Sequence, residues 1–371
     1  MTYLGESTPK LGFGMMRLPK LEDGSIDIAQ TEQMVDAFLE AGLTYFDTAR
    51  AYGESEDAVR RALVERHPRD SFTLATKVAP WLGSKNAEEA KALFDTSLEK
   101  TGAGYFDYYL LHNLGGARTE FFDRFGLWDW ARDLREQGKI KHLGFSMHDN
   151  AEALARVLEI HRDDVEFVQL QVNYADWEDK AVQSRACLEV ARRFELPVVI
   201  MEPVRGGTLA APPLSVADIL AEADPDQSPV SWALRFVWGL EGVLTVLSGM
   251  STLEQMRQNI ESYRTFMPLS AAEHEVIVRA QEALALDRSI PCTTCRYCVD
   301  GCPAEIDIPS VLEALNKEQA FPGTGRGSYN FSTRTSAKAS ECVQCGQCED
   351  ACPQHIPIIE HLERASELFE S

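Results

Sequence analysis

Eight of the nine cysteines fall into two copies of one pattern, and that pattern fixes what the end of the chain must fold around. Cys292, Cys295, Cys298 and Cys302 precede Pro303, and Cys342, Cys345, Cys348 and Cys352 precede Pro353. Each copy reads C-x2-C-x2-C-x3-C-P, the spacing that holds [4Fe–4S] clusters. A tight loop can turn three thiolates, each separated from the next by two residues, inward around one corner of a cube. Where two such runs share a chain, the fourth cysteine of each ligates the other cluster. The expected sets are Cys292, Cys295, Cys298 and Cys352 for one cluster, and Cys342, Cys345, Cys348 and Cys302 for the other. Two four-cysteine zinc sites would need only paired C-x2-C steps, which leaves the third step and both Cys-Pro pairs superfluous. A disulfide framework fits less well still, since Cys187 is the only cysteine upstream of Cys292.

A chain of 371 residues suits one large domain plus a small one. The upstream part alternates short β-branched or aromatic runs with longer segments of helical period. Strands are expected at 12–16, 44–47, 72–77, 108–111, 142–146, 168–171, 198–201 and 244–247. Helices are expected at 31–41, 55–66, 87–101, 127–137, 151–160, 180–194, 229–238 and 253–263. Eight strand–helix repeats in this length match a (β/α)8 TIM barrel. A doubly wound sheet is the runner-up, but the first strand–helix turn carries no G-x-G-x-x-G phosphate loop. Barrel chemistry sits at the C-terminal strand ends. Those ends hold Asp47, Lys77, His112, Ser146, Gln171, Asn173 and Glu202 in succession.

In that order these residues resemble the aldo-keto reductase family over about residues 3–285. YFDTARAYGESEDAVRRAL (45–63) is similar to the family's second strand, loop and helix, with Asp47 and Tyr52 in tetrad positions. TKV places Lys77 third and YYLLHN places His112 fourth, while KIKHLGFSMHD and VQLQVNY resemble the fifth and sixth strand motifs. The resemblance implies an oxidoreductase that interconverts a small carbonyl and alcohol. Hydride arriving at a carbonyl leaves charge on oxygen, so a proton must be supplied there. Tyr52 is the expected general acid, with Lys77 lowering its pKa, Asp47 holding Lys77, and His112 donating to the carbonyl oxygen. Trp81, just past Lys77, is a candidate for the pocket wall.

The resemblance also implies an NAD(P)H cofactor, its carboxamide held by Ser146 and Gln171. Met201 stands where an aromatic residue commonly stacks on the nicotinamide, and a thioether packs on a ring without offering a π-face. SGMSTLEQMRQN resembles the adenosine-phosphate segment, with Asn259 at the adenine contact. Gly249 and Gln255 stand where basic residues often grip a 2′-phosphate. Arg205 and Arg257 are candidates to supply that charge, and NADPH preference is open. These departures leave room for a flavin, which would also reconcile two-electron nicotinamide with one-electron clusters.

Beyond Arg288 the text changes, giving an expected barrel over 1–287 and a cluster-binding domain over 288–371. The residues between the two cysteine runs include a helical stretch at 309–320 and a Gly- and Ser-rich stretch at 323–332, and a further helix is expected after Ile358. This layout resembles the α-helical ferredoxin modules of larger oxidoreductases, and the whole chain looks like a ferredoxin-tailed aldo-keto reductase. A ferredoxin or other electron carrier is then the expected protein partner. Two rivals keep the barrel but change the tail's role: a nicotinamide-only reductase with structural clusters, or an electron-transfer module with a vestigial tetrad. A net charge of −22 disfavours nucleic acid or an anionic membrane as partner. The opening MTYLGESTPK lacks the basic and apolar regions of a secretory leader, and no apolar run is long enough to span a bilayer. A cytoplasmic location is expected.

Overall fold

A computed structural model describes the chain apart from residues 1–3, 288, 321 and 371, so the boundary residue Arg288 lies outside the described residues. Eight parallel strands close into a barrel in sequence order: β1 (Leu11–Gly14), β2 (Tyr45–Asp47), β3 (Thr73–Val78), β4 (Phe106–Leu114), β5 (Ile140–Met147), β6 (Phe167–Gln171), β7 (Val198–Met201) and β8 (Val243–Gly249). β1 pairs with β8 through Phe13 opposite Ser248, which completes the ring. Closure excludes the doubly wound sheet. No helix among the described residues is long and apolar enough to cross a membrane.

Strand periodicity explains where the chemistry sits. Alternate residues face opposite sides of a strand, so steps of two climb the barrel interior. Tyr45, Ala75, Tyr108, Leu110, Phe167, Val199 and Leu244 belong to one buried apolar cluster, which fills the lower interior. One step of two further along, the same faces carry Asp47, Lys77, His112, Gln169 and Met201. The intervening residues, such as Phe46, Leu74, Leu111 and Val168, join the larger cluster between strands and helices. Burying each such large apolar side chain stabilises the fold by roughly 1.5–3 kcal/mol. Gly144 serves this packing: a Cβ there would lie 2.5 Å from the Phe167 carbonyl oxygen and 2.7 Å from its ring.

Each expected barrel helix has a counterpart, with shifted ends. The stretch expected at 180–194 is helical only over Ser184–Arg193, and that expected at 55–66 splits into Ser55–Val59 and a wider π turn at Arg60–Val64. Helices Thr119–Arg124, Leu214–Ala223 and Ala271–Leu286 are additional. The last of these opens with a reciprocal cap, in which Ser270 accepts from the Glu273 amide and the Glu273 carboxylate accepts from the Ser270 amide.

The tail has a separate core of Ile306, Ile308, Val311, Leu312, Leu315, Ile356, Ile358 and Leu362, with Cys298 and Cys348 buried among them. Each cysteine run leads into a helix, Ile308–Ala320 after the first and Ile358–Phe369 after the second. The Gly- and Ser-rich stretch also forms a helix, Gly325–Ser332. Packing against Phe369 overrides its weak propensity, with Tyr329 and Phe369 ring centroids 5.0 Å apart.

Candidate active site and cysteine cages

Asp47, Lys77 and His112 meet at the top of the barrel because β2, β3 and β4 are neighbours and each ends in an inward polar residue. The Lys77 ammonium donates to Asp47 Oδ1 at 2.6 Å and to the Thr48 carbonyl at 2.9 Å. Burial pushes the Asp47 carboxyl up and the Lys77 ammonium down, so each depends on the other for its charge. Tyr52, on the loop after β2, lies over this pair: Lys77 Nζ is 5.0 Å from its ring centroid. The Tyr52 ring meets His112 edge-on at 5.8 Å. Burial, then the Lys77 charge, holds His112 well below the usual imidazole range, which makes it a neutral hydrogen-bond donor. The Trp81 indole donates to the His112 carbonyl at 2.9 Å and packs against its ring.

The expected lowering of the Tyr52 pKa does not hold in this state. Its phenol is pushed well above the ordinary tyrosine value, first by burial and then by Tyr297, Asp47 and Glu202. Tyr297 belongs to the tail, between Cys295 and Cys298; it lines the same cavity as Tyr52, and its ring lies edge-on to His112 at 6.4 Å.

The tail docks on the barrel mouth. Arg17 donates to the Thr293 carbonyl at 2.6 Å, and Arg118, on the loop after β4, donates to the Asp350 carbonyl at 2.7 Å. Gly206 permits the approach: at φ +61° it adopts a conformation side chains rarely take, and a Cβ there would meet the Thr293 Cβ at 2.5 Å.

Between tail and barrel lies a cavity of about 340 Å³ that runs from Tyr52 past Met201 to Ser248, Gly249, Gln255 and Asn259. Met201, Gly249, Gln255 and Asn259 therefore line it as expected positions for a cofactor, whereas Ser146, Gln171 and Arg205 do not. The Ser146 hydroxyl accepts from the Asn113 amide, and Gln171 is held by Asp176 and His148. Arg205 pairs with Asp176 at 2.9 Å. Their places on the wall are taken by Gln169, two residues before Gln171 on the same strand face, and by Arg17. Arg257 is likewise absent from the wall. Gln169 Oε1 and Glu202 Oε2 are buried there without partners. Thr293, Cys295, Tyr297 and Gln354 close the cavity from the tail side, a role that no local pattern in the sequence marks.

Two smaller cages lie within the tail. Cys292, Cys295, Cys298 and Cys352 line one, and Cys302, Cys342, Cys345 and Cys348 line the other. Among the described residues no three His, Cys, Asp or Glu side chains converge as a single ion would require.

Comparison with known proteins agrees with this division. The aldo/keto reductase family model matches residues 10–282, and the 4Fe-4S dicluster domain model matches residues 291–356. An aldo-keto reductase of Mycolicibacterium smegmatis is 33% identical over 142 residues, covering 38% of this chain and 47% of that protein. The chain thus spans about half the length of the first curated relatives it matches. An aldo-keto reductase of Mycolicibacterium vanbaalenii is 29% identical over 260 residues, covering 69% of this chain and 82% of that protein. Among solved structures, the holo form of an aldo-keto reductase from Bacillus halodurans superposes with a TM-score of 0.59 at 24% identity, over 75% of this chain and 95% of that one. A Klebsiella pneumoniae aldo/keto reductase in complex with NADP and acetate gives 0.58 at 24% identity, over 74% and 93%. At that identity the likeness is one of fold. With the family model spanning the whole barrel, the chain belongs to the aldo/keto reductase family.

Proposed function

We propose that this chain is an oxidoreductase that interconverts a small carbonyl and its alcohol, using a nicotinamide bound in the barrel cavity and two [4Fe–4S] clusters bound in the tail. In this reading the catalytic unit is 1–287 and the cluster unit 288–371, and the protein works in the cytoplasm. One observation carries the coupling: Thr293, Cys295, Pro353 and Gln354 line both the barrel cavity and the first cysteine cage. A single layer of residues separates the two.

The cavity fits a nucleotide by its donor set. Gln169 lines it and has an amide oxygen without a partner, the kind of acceptor a carboxamide N–H needs. Arg17 supplies a guanidinium beside Gly249, near the start of helix Leu253–Arg264, where the helix dipole favours phosphate. Asn259, on the same helix, would meet the adenine. Bound there, the nicotinamide would supply or accept hydride. Tyr52 would hold the proton for the carbonyl oxygen, and neutral His112 would donate a second hydrogen bond to the same atom. Asp47 keeps Lys77 charged under Tyr52, so the phenolate left behind faces a cation. Cys292, Cys295, Cys298 and Cys352 would hold one cluster, and Cys302, Cys342, Cys345 and Cys348 the other. Cys345 is exposed, which makes the second cage the exit toward a ferredoxin-like carrier.

Anaerobic mixing of cluster-loaded protein with NADPH, and separately NADH, tests the coupling. The expected result is bleaching of the visible cluster absorbance together with a reduced-cluster EPR signal. Aldehyde turnover with unchanged cluster spectra would instead make the clusters structural. The shared wall also favours a second reading, in which a flavin in the cavity converts two-electron into one-electron transfer. Denaturing the same protein should then release a yellow, fluorescent compound, and a colourless supernatant rules this out.

A further inference from the structure

The barrel sets two guanidiniums against the loops of the first cage. Arg17 donates to the Thr293 carbonyl, beside Cys292, but it also lines the cavity and is proposed to meet phosphate there. Arg118 has no such second task. Its loop is anchored on the barrel, where the Gly116 amide donates to Asp149 Oδ2 at 3.1 Å and the Gly115 amide to Thr119 Oγ1 at 3.0 Å. The Arg118 guanidinium donates to the Asp350 carbonyl at 2.7 Å, two residues before Cys352. It also lies 5.5 Å from the centre of the Trp81 ring, which meets Tyr297, between Cys295 and Cys298, at 6.1 Å. Arg118 thus stands where the two cysteine runs come together to line one cage. It is half-buried, and among the described residues no carboxylate forms an ion pair with it. The second cage differs. Among the described residues no lysine or arginine side chain donates to its loops at 300–305 and 340–348, and Glu341 is exposed beside Cys342.

Four thiolates give a bound cluster net negative charge, and reduction adds one charge more. Its potential therefore depends on the charges and hydrogen bonds around the sulfurs. A unit charge about 10 Å from a redox centre, at an effective dielectric of about 20, changes a one-electron equilibrium by about tenfold. We propose that Arg118 raises the reduction potential of a cluster held in the first cage, so that docking on the barrel draws an electron toward the cavity. This rests on the reading of both cages as [4Fe–4S] sites. The charge belongs to the barrel, so the tail gains the bias only while docked.

Potentiometric titration of full-length protein, reconstituted with iron and sulfide and followed by EPR, tests this. The reduction step lost in Cys352→Ala identifies the first cage. Arg118→Lys, Arg118→Gln and Arg118→Glu then form a charge series at one position. With Gln, reduction of the first cluster should become about tenfold less favourable, a midpoint about 59 mV lower for one electron. With Glu, a change of two charges, the loss should reach about a hundredfold. With Lys the step should stay near its wild-type position, and the second step should not move in any of the three. Mere loss of docking would shift Gln and Glu equally, since both lack the cation, and that result overturns the proposal. An unmoved first step, or equal shifts of both steps, overturns it as well. If Arg118→Gln loads its clusters incompletely, Arg118→Met takes its place as the neutral member; failure of both to hold the first cluster makes Arg118 a structural clamp and overturns the tuning role. Wild-type protein with fewer than two reduction steps removes the two-cluster reading itself, whereas two steps without a charge-graded shift remove only this proposal.

Discussion

Tyr52→Phe is expected to lower aldehyde turnover by about 10²–10⁴-fold, the usual contribution of a positioned general acid. The substitution removes one hydroxyl from a packed ring and leaves Lys77, Asp47 and Thr48 in their hydrogen-bonded arrangement. Affinity for NADPH and the visible cluster absorbance should stay at wild-type levels, since the Tyr52 hydroxyl is proposed to touch neither the nucleotide phosphates nor a cysteine. Substituting Lys77 would be a poorer experiment. It is fully buried against Asp47, and leaving a buried carboxylate unpaired typically costs about 3–5 kcal/mol of stability. The pH profile offers a second check. Burial and the neighbours Tyr297, Asp47 and Glu202 hold the Tyr52 phenol well above its ordinary value. An acid with a raised pKa keeps its proton as pH rises, so reductive turnover should not fall off through Tyr52 below about pH 10. A decline near neutrality that vanishes in Tyr52→Phe would show the phenol to be tuned downward in the working complex.

The barrel was legible because its strands are short, separated by amphipathic helices and end in polar residues, a pattern that survives in one dimension. Asp47, Lys77 and His112 could be named from it because each sits two residues beyond an apolar inward neighbour. The choice between Gln169 and Gln171 could not be made this way. Both point to the same face of β6, and only the position of Asp176, which holds Gln171 through its amide nitrogen at 2.7 Å, decides which is free for the cavity. Arg205 was a reasonable cation by sequence and is spent on the same Asp176. Arg17 follows a strand whose glycines draw attention to phosphate loops, but its role depends on β8 closing beside β1. Tyr297 was the hardest to read. A residue inside a C-x2-C interval looks like a spacer, and nothing local says that the tail folds back onto the barrel mouth. That information lies in distant pairs, Arg17 with Thr293 and Arg118 with Asp350, whose partners accept through backbone carbonyls and so leave no mark in sequence.

Cys352→Ala is expected to remove the cluster beside the barrel cavity, although Cys352 lies in the second cysteine run. The cage that Cys352 lines is otherwise built from Cys292, Cys295 and Cys298. Iron should drop from about eight to about four atoms per chain. Pairs of substitutions separate crossed from sequential ligation without any need to identify which cluster is lost. With crossed ligation, Cys292→Ala combined with Cys352→Ala removes no more iron than either alone, because both strike one cage. Cys292→Ala combined with Cys302→Ala empties both cages. Sequential ligation reverses the two outcomes. The consequences should reach the barrel as well. Cys298 and Cys348 are buried within the tail's own core, so cluster binding and folding of this small unit are linked. The first cage also holds Thr293, Pro353 and Gln354, the residues that wall the cavity. Loss of that cluster should loosen the wall, raise backbone hydrogen exchange around residues 291–298, and abolish NADPH-dependent reduction of the remaining cluster. A Cys352→Ala protein whose second cluster is still reduced by NADPH at the wild-type rate would mean that electrons reach it without passing the cavity wall.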